Sequence, residues 1–131
     1  MDKTKIIKTD LIYPELSYRI IGIMFEVYNN LGVGYQEKYY QRAIAAVFKK
    51  EKLNFQEQVL VPLKYLDEKI GRYFLDFLIE DKIILEIKKG DRFSRKDIEQ
   101  VYAYLKARKL KLGLLVNFTN NGVKFKRILN L

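Results

Sequence analysis

The chain has 131 residues, 49% hydrophobic and 31% charged, which places it among ordinary globular proteins of about one domain and sets aside disordered and membrane-spanning classes. It contains no cysteine and no histidine, and this excludes disulfides, Cys/His zinc sites, a thiol nucleophile and any imidazole base. Lys and Arg outnumber Asp and Glu by 25 to 16, a formal net charge of +9 that favours a polyanionic partner such as nucleic acid, the plain alternative being a lysine-rich solvated surface.

Any catalysis must then rest on carboxylates, lysine, hydroxyls or a hard metal bound through oxygen, Mg²⁺ or Mn²⁺ first. No apolar run approaches the ~18 residues of a membrane span, and the Met1-Asp2-Lys3-Thr4-Lys5 start lacks the apolar stretch of a signal peptide. The expectation is a cytoplasmic protein with no membrane partner. Neither repeats nor linkers interrupt it, so residues 1–131 read as a single domain.

From Pro14 the residues Ile20, Ile23, Met24, Val27, Tyr28 and Leu31 fall at helical spacing, with Gly32 suited to the stop. A second helical pattern runs through Tyr40, Ala43, Ile44, Val47 and Phe48 and fades near Leu53. Phe55 to Leu66 then alternates as a strand, its Pro62 marking an edge or a bulge, and Asp67-Glu68-Lys69 turns the chain. Ile70 to Ile79 and Ile83 to Lys88 are apolar on both faces, which predicts an interior hairpin joined through Glu80-Asp81-Lys82. Ser94 with Asp97 caps a third helix that carries Ile98, Val101, Tyr102 and Leu105 to about Arg108. Lys111 to Phe118, the Asn121-Gly122 turn and Val123 to Leu129 close the chain as a hairpin. The order α-α-β-β-β-α-β-β predicts an α/β layered fold around a mixed sheet.

A three-residue connection at Glu80-Asp81-Lys82 sets Asp76 across from Glu86, on the face expected to carry Phe74, Leu78 and Ile84. Two like charges face to face repel, and desolvation on an apolar face makes the repulsion worse. A divalent cation removes the conflict. Lys88, two residues beyond Glu86, points to the same side and can orient a water or offset charge on a phosphoryl group, which metal-assisted phosphodiester cleavage requires. The plain alternative is a buried acid–lysine pair that neutralises itself.

Asp76 followed by Glu86-Ile87-Lys88 resembles the D…(D/E)-x-K signature of the PD-(D/E)XK nuclease superfamily, and the element order is similar to its restriction-endonuclease-like core. Gly34-Tyr35-Gln36-Glu37-Lys38-Tyr39-Tyr40 resembles the G-x-x-E-x-x-Y motif of the GxxExxY family, a bacterial branch of that superfamily. Likeness to that family extends from Ile20 to Ile128, through the Leu31-Gly32-Val33-Gly34 bend and the Leu114-Leu115-Val116-Asn117-Phe118 strand. Tyr28 departs from it where relatives often carry histidine, and Val33 where proline is usual. The resemblance implies a metal held by Asp76, Glu86 and the Ile87 carbonyl, with Glu37 assisting and Lys88 positioning the attacking water, and cleavage that leaves a 5′-phosphate. Glu37 has an ordinary reading too, as an acid in a helix's first turn.

Gln100 and Tyr104, four apart on one helix face, are similar to the Q-x-x-x-Y motif of RecB-type members. The resemblance implies that Gln100 reaches the site or the nucleic-acid backbone with Tyr104 behind it. Lys89, Arg92, Arg95 and Lys96 cluster beside Lys88, where they can hold phosphates. The expected partner is nucleic acid, DNA first, and a homodimer is compatible with cutting both strands of a duplex. The rival expectation is a nuclease-like scaffold that binds nucleic acid without cutting it.

Overall fold

The structure is a computed structural model that describes residues 12–131; residues 1–11, including the Met1-Asp2-Lys3-Thr4-Lys5 start, lie outside the described residues. The elements follow the expected order: α1 Pro14–Leu31, α2 Glu37–Lys50, β1 Phe55–Tyr65, β2 Glu68–Ile79, β3 Ile83–Lys89, α3 Arg95–Arg108, β4 Leu112–Thr119 and β5 Gly122–Leu129. Local chemistry sets several of their ends. Pro14 opens α1, where a missing N–H costs nothing, and Gly32 at φ 81° stops it. Ser94 Oγ accepts the Asp97 N–H at 2.9 Å and so caps α3.

Among the described residues the strands form one mixed sheet in the order β1-β2-β3-β4-β5, with β3 and β4 parallel and the other neighbours antiparallel. Helices flank it on both faces. Ile20 and Met24 of α1 and Ile44 and Phe48 of α2 cover Phe77, Leu85 and Leu114 on one side. Val101, Tyr104 and Leu105 of α3 cover Leu78, Ile84 and Leu115 on the other. The parallel pair is therefore apolar on both faces, and every residue of β4 is buried. No helix among the described residues is long and apolar enough to cross a membrane.

Two expectations change, besides the last hairpin, where Thr119 pairs with Gly122 and the turn is made by Asn120-Asn121 in place of Asn121-Gly122. The β1–β2 turn is made by Leu66 and Asp67, not by Asp67-Glu68-Lys69. Both residues have positive φ, 49° and 64°, as a two-residue hairpin turn of type I′ demands, and Tyr65 pairs directly with Glu68. The second change concerns Phe74, which is 47% exposed instead of sharing a face with Leu78 and Ile84.

Leu75 takes its place beneath α3, because the face alternation of β2 breaks at Asp76. The neighbouring strand breaks at the same rung. Gln58, at φ 49°, makes no ladder pair with Asp76. On one side of it Phe55 packs toward α2; on the other Val59 and Val61 pack toward α3. A left-handed residue inside β1 has turned the strand over.

Candidate active site

β2 and β3 pair from Ile79↔Ile83 to Phe77↔Leu85, the register that the three-residue connection predicts, and then separate. The next rung holds the two acids. Glu86 Oε1 accepts the backbone N–H of Asp76 at 2.7 Å, and Asp76 Oδ2 accepts the backbone N–H of Ile87 at 2.8 Å. Each carboxylate occupies a hydrogen bond that the parted ladder would leave open. The acids therefore meet through each other's strands instead of as the simple facing pair that the sequence suggested.

Glu86 is buried and Asp76 half-buried. Desolvation, with the charge of Asp76 added, pushes Glu86 up to about 8, against the pull of the Asp76 N–H and of Lys88. Asp76 is raised as well, first by burial, with the Ile87 N–H and Lys88 opposing. Burial first, and mutual repulsion after it, makes full ionisation of the pair unfavourable. Lys88 Nζ lies 3.8 Å from Asp97 Oδ1, so its ammonium is shared between the acids and the first turn of α3.

Glu37 opens α2 and its Oε1 accepts the Lys89 N–H at 3.2 Å. From there its charge raises Asp76 further. Among the described residues no three acids stand close enough to enclose a metal by themselves. Asp76 and Glu86 form the pair, and Glu37 stands at its edge. Two desolvated, mutually repelling carboxylates are nevertheless the donor chemistry that a hard divalent cation takes.

Gln100 is half-buried one turn before Tyr104 on α3. Tyr104 itself is 2% exposed, and burial together with the Glu86 charge raises its hydroxyl above the ordinary tyrosine range. Its ring lies between α3 and the sheet, against Leu78, Ile84 and Leu115, the place behind Gln100 that the resemblance implies. Lys89, Arg92, Arg95 and Lys96 are all exposed along the loop after β3 and the start of α3. Arg95 Nε stands 3.7 Å from Glu99 Oε1.

Sequence reasoning missed Asn117. It pairs with Lys88 across the parallel ladder, and its buried Nδ2 donates to the carbonyls of Gly90 at 3.3 Å and Arg92 at 2.8 Å. It thereby clamps the basic loop against the sheet. A lone amide inside the apolar run Leu114 to Phe118 was the available signal. The capping pattern reveals only one role of Asp97, and its ion pair with Lys88 depends on where α3 docks. Tyr28, at the position where histidine is frequent in the resembled family, donates its hydroxyl to the Thr119 carbonyl at 2.6 Å and ties α1 to β4. A groove of about 420 Å³ between α1 and β5 lies away from these acids.

A mixed sheet with one acid on each of two parting strands, and a lysine two residues beyond the second, defines a nuclease-type α/β fold. The family model for the PD-(D/E)XK nuclease superfamily matches residues 14–128, and the chain belongs to that superfamily. A comparison with curated proteins gave no match. Among solved structures the chain is similar to SSO0001, at 18% identity and a TM-score of 0.55, covering 71% of this chain and 49% of that one. It is also similar to the alkaline exonuclease LHK-Exo from Laribacter hongkongensis, at 14% identity and a TM-score of 0.52, covering 72% of this chain and 55% of that one. The matched region spans about half the length of each, and at these identities the likeness is one of fold.

Proposed function

We propose that this chain is a metal-dependent nuclease that hydrolyses phosphodiester bonds in nucleic acid, DNA first, as a single domain of the GxxExxY type. The observation that carries this reading is the crossed pair of Asp76 and Glu86 at the point where β2 leaves β3, with Lys88 beside it. Superfamily membership and a fold shared with an alkaline exonuclease support it.

Asp76, Glu86 and the Ile87 carbonyl would hold Mg²⁺ or Mn²⁺, with Glu37 at the edge. A divalent cation there supplies charge neutralisation at the phosphoryl oxygens. The remaining work belongs to the chain. Lys88, steadied by Asp97, donates to and orients the attacking water and offsets negative charge that grows on the phosphoryl group. Gln100, braced against Tyr104, contacts the nucleic acid next to the site. Lys89, Arg92, Arg95 and Lys96 hold flanking phosphates and fix the register of the strand. Water oxygen bonds to phosphorus, the P–O3′ bond breaks, and the products are a 5′-phosphate and a 3′-hydroxyl.

The test is incubation with plasmid, single-stranded and branched DNA in Mg²⁺ or Mn²⁺, alongside Lys88→Ala and Asp76→Asn. Cleavage by the parent that each variant lowers at least about 100-fold is expected. Equal cleavage by parent and variants would sink the proposal, and binding without any cleavage would establish the scaffold instead.

A further inference from the structure

Tyr73 lies three residues before Asp76 on β2, about 10 Å away along an extended strand. Because the strand turns over at Asp76, Tyr73 sits on the α3 side with Leu75, and its ring meets the sealed Tyr104 edge-on at 5.6 Å. It remains 39% exposed. Tyr73 borders a groove of about 230 Å³ whose other wall is Lys96, Gln100 and Ala103 of α3, with Glu99 at the rim. Glu99 also faces Arg95 at 3.7 Å, so the groove carries one charge of each sign, Lys96 and Glu99.

These features combine an aromatic ring held from behind, a carboxamide that can both donate and accept, and a cation. The volume falls below the ~300–1,000 Å³ of sites for drug-sized ligands, which suits a single ring system and not a base pair. A base inside a duplex has its faces covered by its neighbours and its edge committed to its partner. An unpaired base offers Tyr73 a free face, and the groove is too small to admit the exposed end pair of a blunt duplex.

We propose that Tyr73 and this groove receive one unpaired base of the substrate, a nucleotide or two from the scissile phosphate, so that the preferred substrate is single-stranded or frayed nucleic acid. The proposal rests on the nuclease reading for its scissile phosphate. Base stacking, however, requires no metal and no cleavage. Tyr73 supplies the platform, Lys96 the phosphate contact and Gln100 the edge contact, while Tyr104 keeps the platform from tilting.

The test is binding of a short single-stranded DNA carrying one 2-aminopurine, measured in EDTA by anisotropy and by fluorescence quenching, with a blunt duplex of the same sequence as the comparison. The parent is expected to quench the probe and to bind the single strand more tightly than the duplex. Tyr73→Leu is expected to weaken single-strand binding by about 5- to 100-fold and to abolish quenching, with duplex binding unchanged. Tyr73→Phe should retain both. Ala103→Leu fills the groove from the other wall and should reproduce the loss without altering Tyr73, which guards against a misfolded Tyr73 variant. Single-strand binding and quenching that persist in Tyr73→Leu and in Ala103→Leu would overturn the proposal, as would equal losses on both DNAs. Stacking through Tyr73 in a protein that never cleaves would leave the groove assigned and defeat the nuclease reading. Cleavage indifferent to strandedness and to Tyr73 would do the opposite.

Discussion

Glu86 accepts the backbone N–H of Asp76, while the carboxylate of Asp76 accepts the N–H of the residue that follows Glu86. The two acids therefore serve as the last rung of a ladder that has otherwise ended at Phe77 and Leu85. One oxygen of each is committed to the backbone, which fixes where the carboxylates point. Their charge is the cost, and it appears as the raised pKa of both.

That cost gives the metal-free protein a pH dependence. Glu86 is lifted from the ordinary 4.5 to about 8, so between those values the folded chain keeps a proton that the unfolded chain releases. Stability from this group is full below about 4.5 and falls as pH rises toward 8, and the raised Asp76 acts in the same direction. Thermal melts in EDTA should show the midpoint dropping across that window, and Glu86→Gln should flatten most of the slope. A midpoint that rises from pH 5 to 8, with Glu86→Gln tracking the parent, would contradict it.

A divalent cation should reverse the loss. At a hundredfold excess over its dissociation constant Mn²⁺ is expected to add about 2.7 kcal/mol of stability, with tighter binding as pH rises because protons compete for the same oxygens. Calorimetric titration of Asp76→Asn and Glu86→Gln should show this binding lost. Retention of parent-like affinity in both variants would place the ion elsewhere.

Asn117 should matter to the loop more than to the sheet. Asn117→Ala removes the donors to the Gly90 and Arg92 carbonyls and is expected to destabilise the fold by about 1–3 kcal/mol. Hydrogen exchange should quicken in residues 90–94 in particular. Uniform acceleration over the whole sheet would show that the clamp is not local.

Gly113 lies close beneath Val101 and Leu105 of α3. A Cβ added there would lie 2.6 Å from Val101 Cγ1, a β-branched side chain that has little rotamer freedom on a helix. Gly113→Ala is expected to cost about 1–3 kcal/mol and, by lifting α3, to loosen the Lys88–Asp97 pair as well. An alanine variant with an unchanged urea midpoint would show that α3 can shift at no cost.

Sequence alone determined the element order, the interior position of β2 and β3, and the register that brings Asp76 level with Glu86. Those follow from hydrophobic periodicity and turn length, which act over a few residues. It also carried the Asp, Glu and Lys signature, because the short connection at Glu80-Asp81-Lys82 keeps all three within one hairpin. Tertiary structure decided the rest. The inversion at Gln58 and Asp76 exchanges Phe74 for Leu75 beneath α3, and no alternation pattern foretells a left-handed residue inside a strand. Asn117 meets Lys88 only through a parallel pairing across a helical crossover, and Asp97 and Tyr104 reach the site only because α3 docks tightly over Gly113. Contacts between residues far apart in the chain depend on how whole layers pack, and that packing is a property of the assembled core.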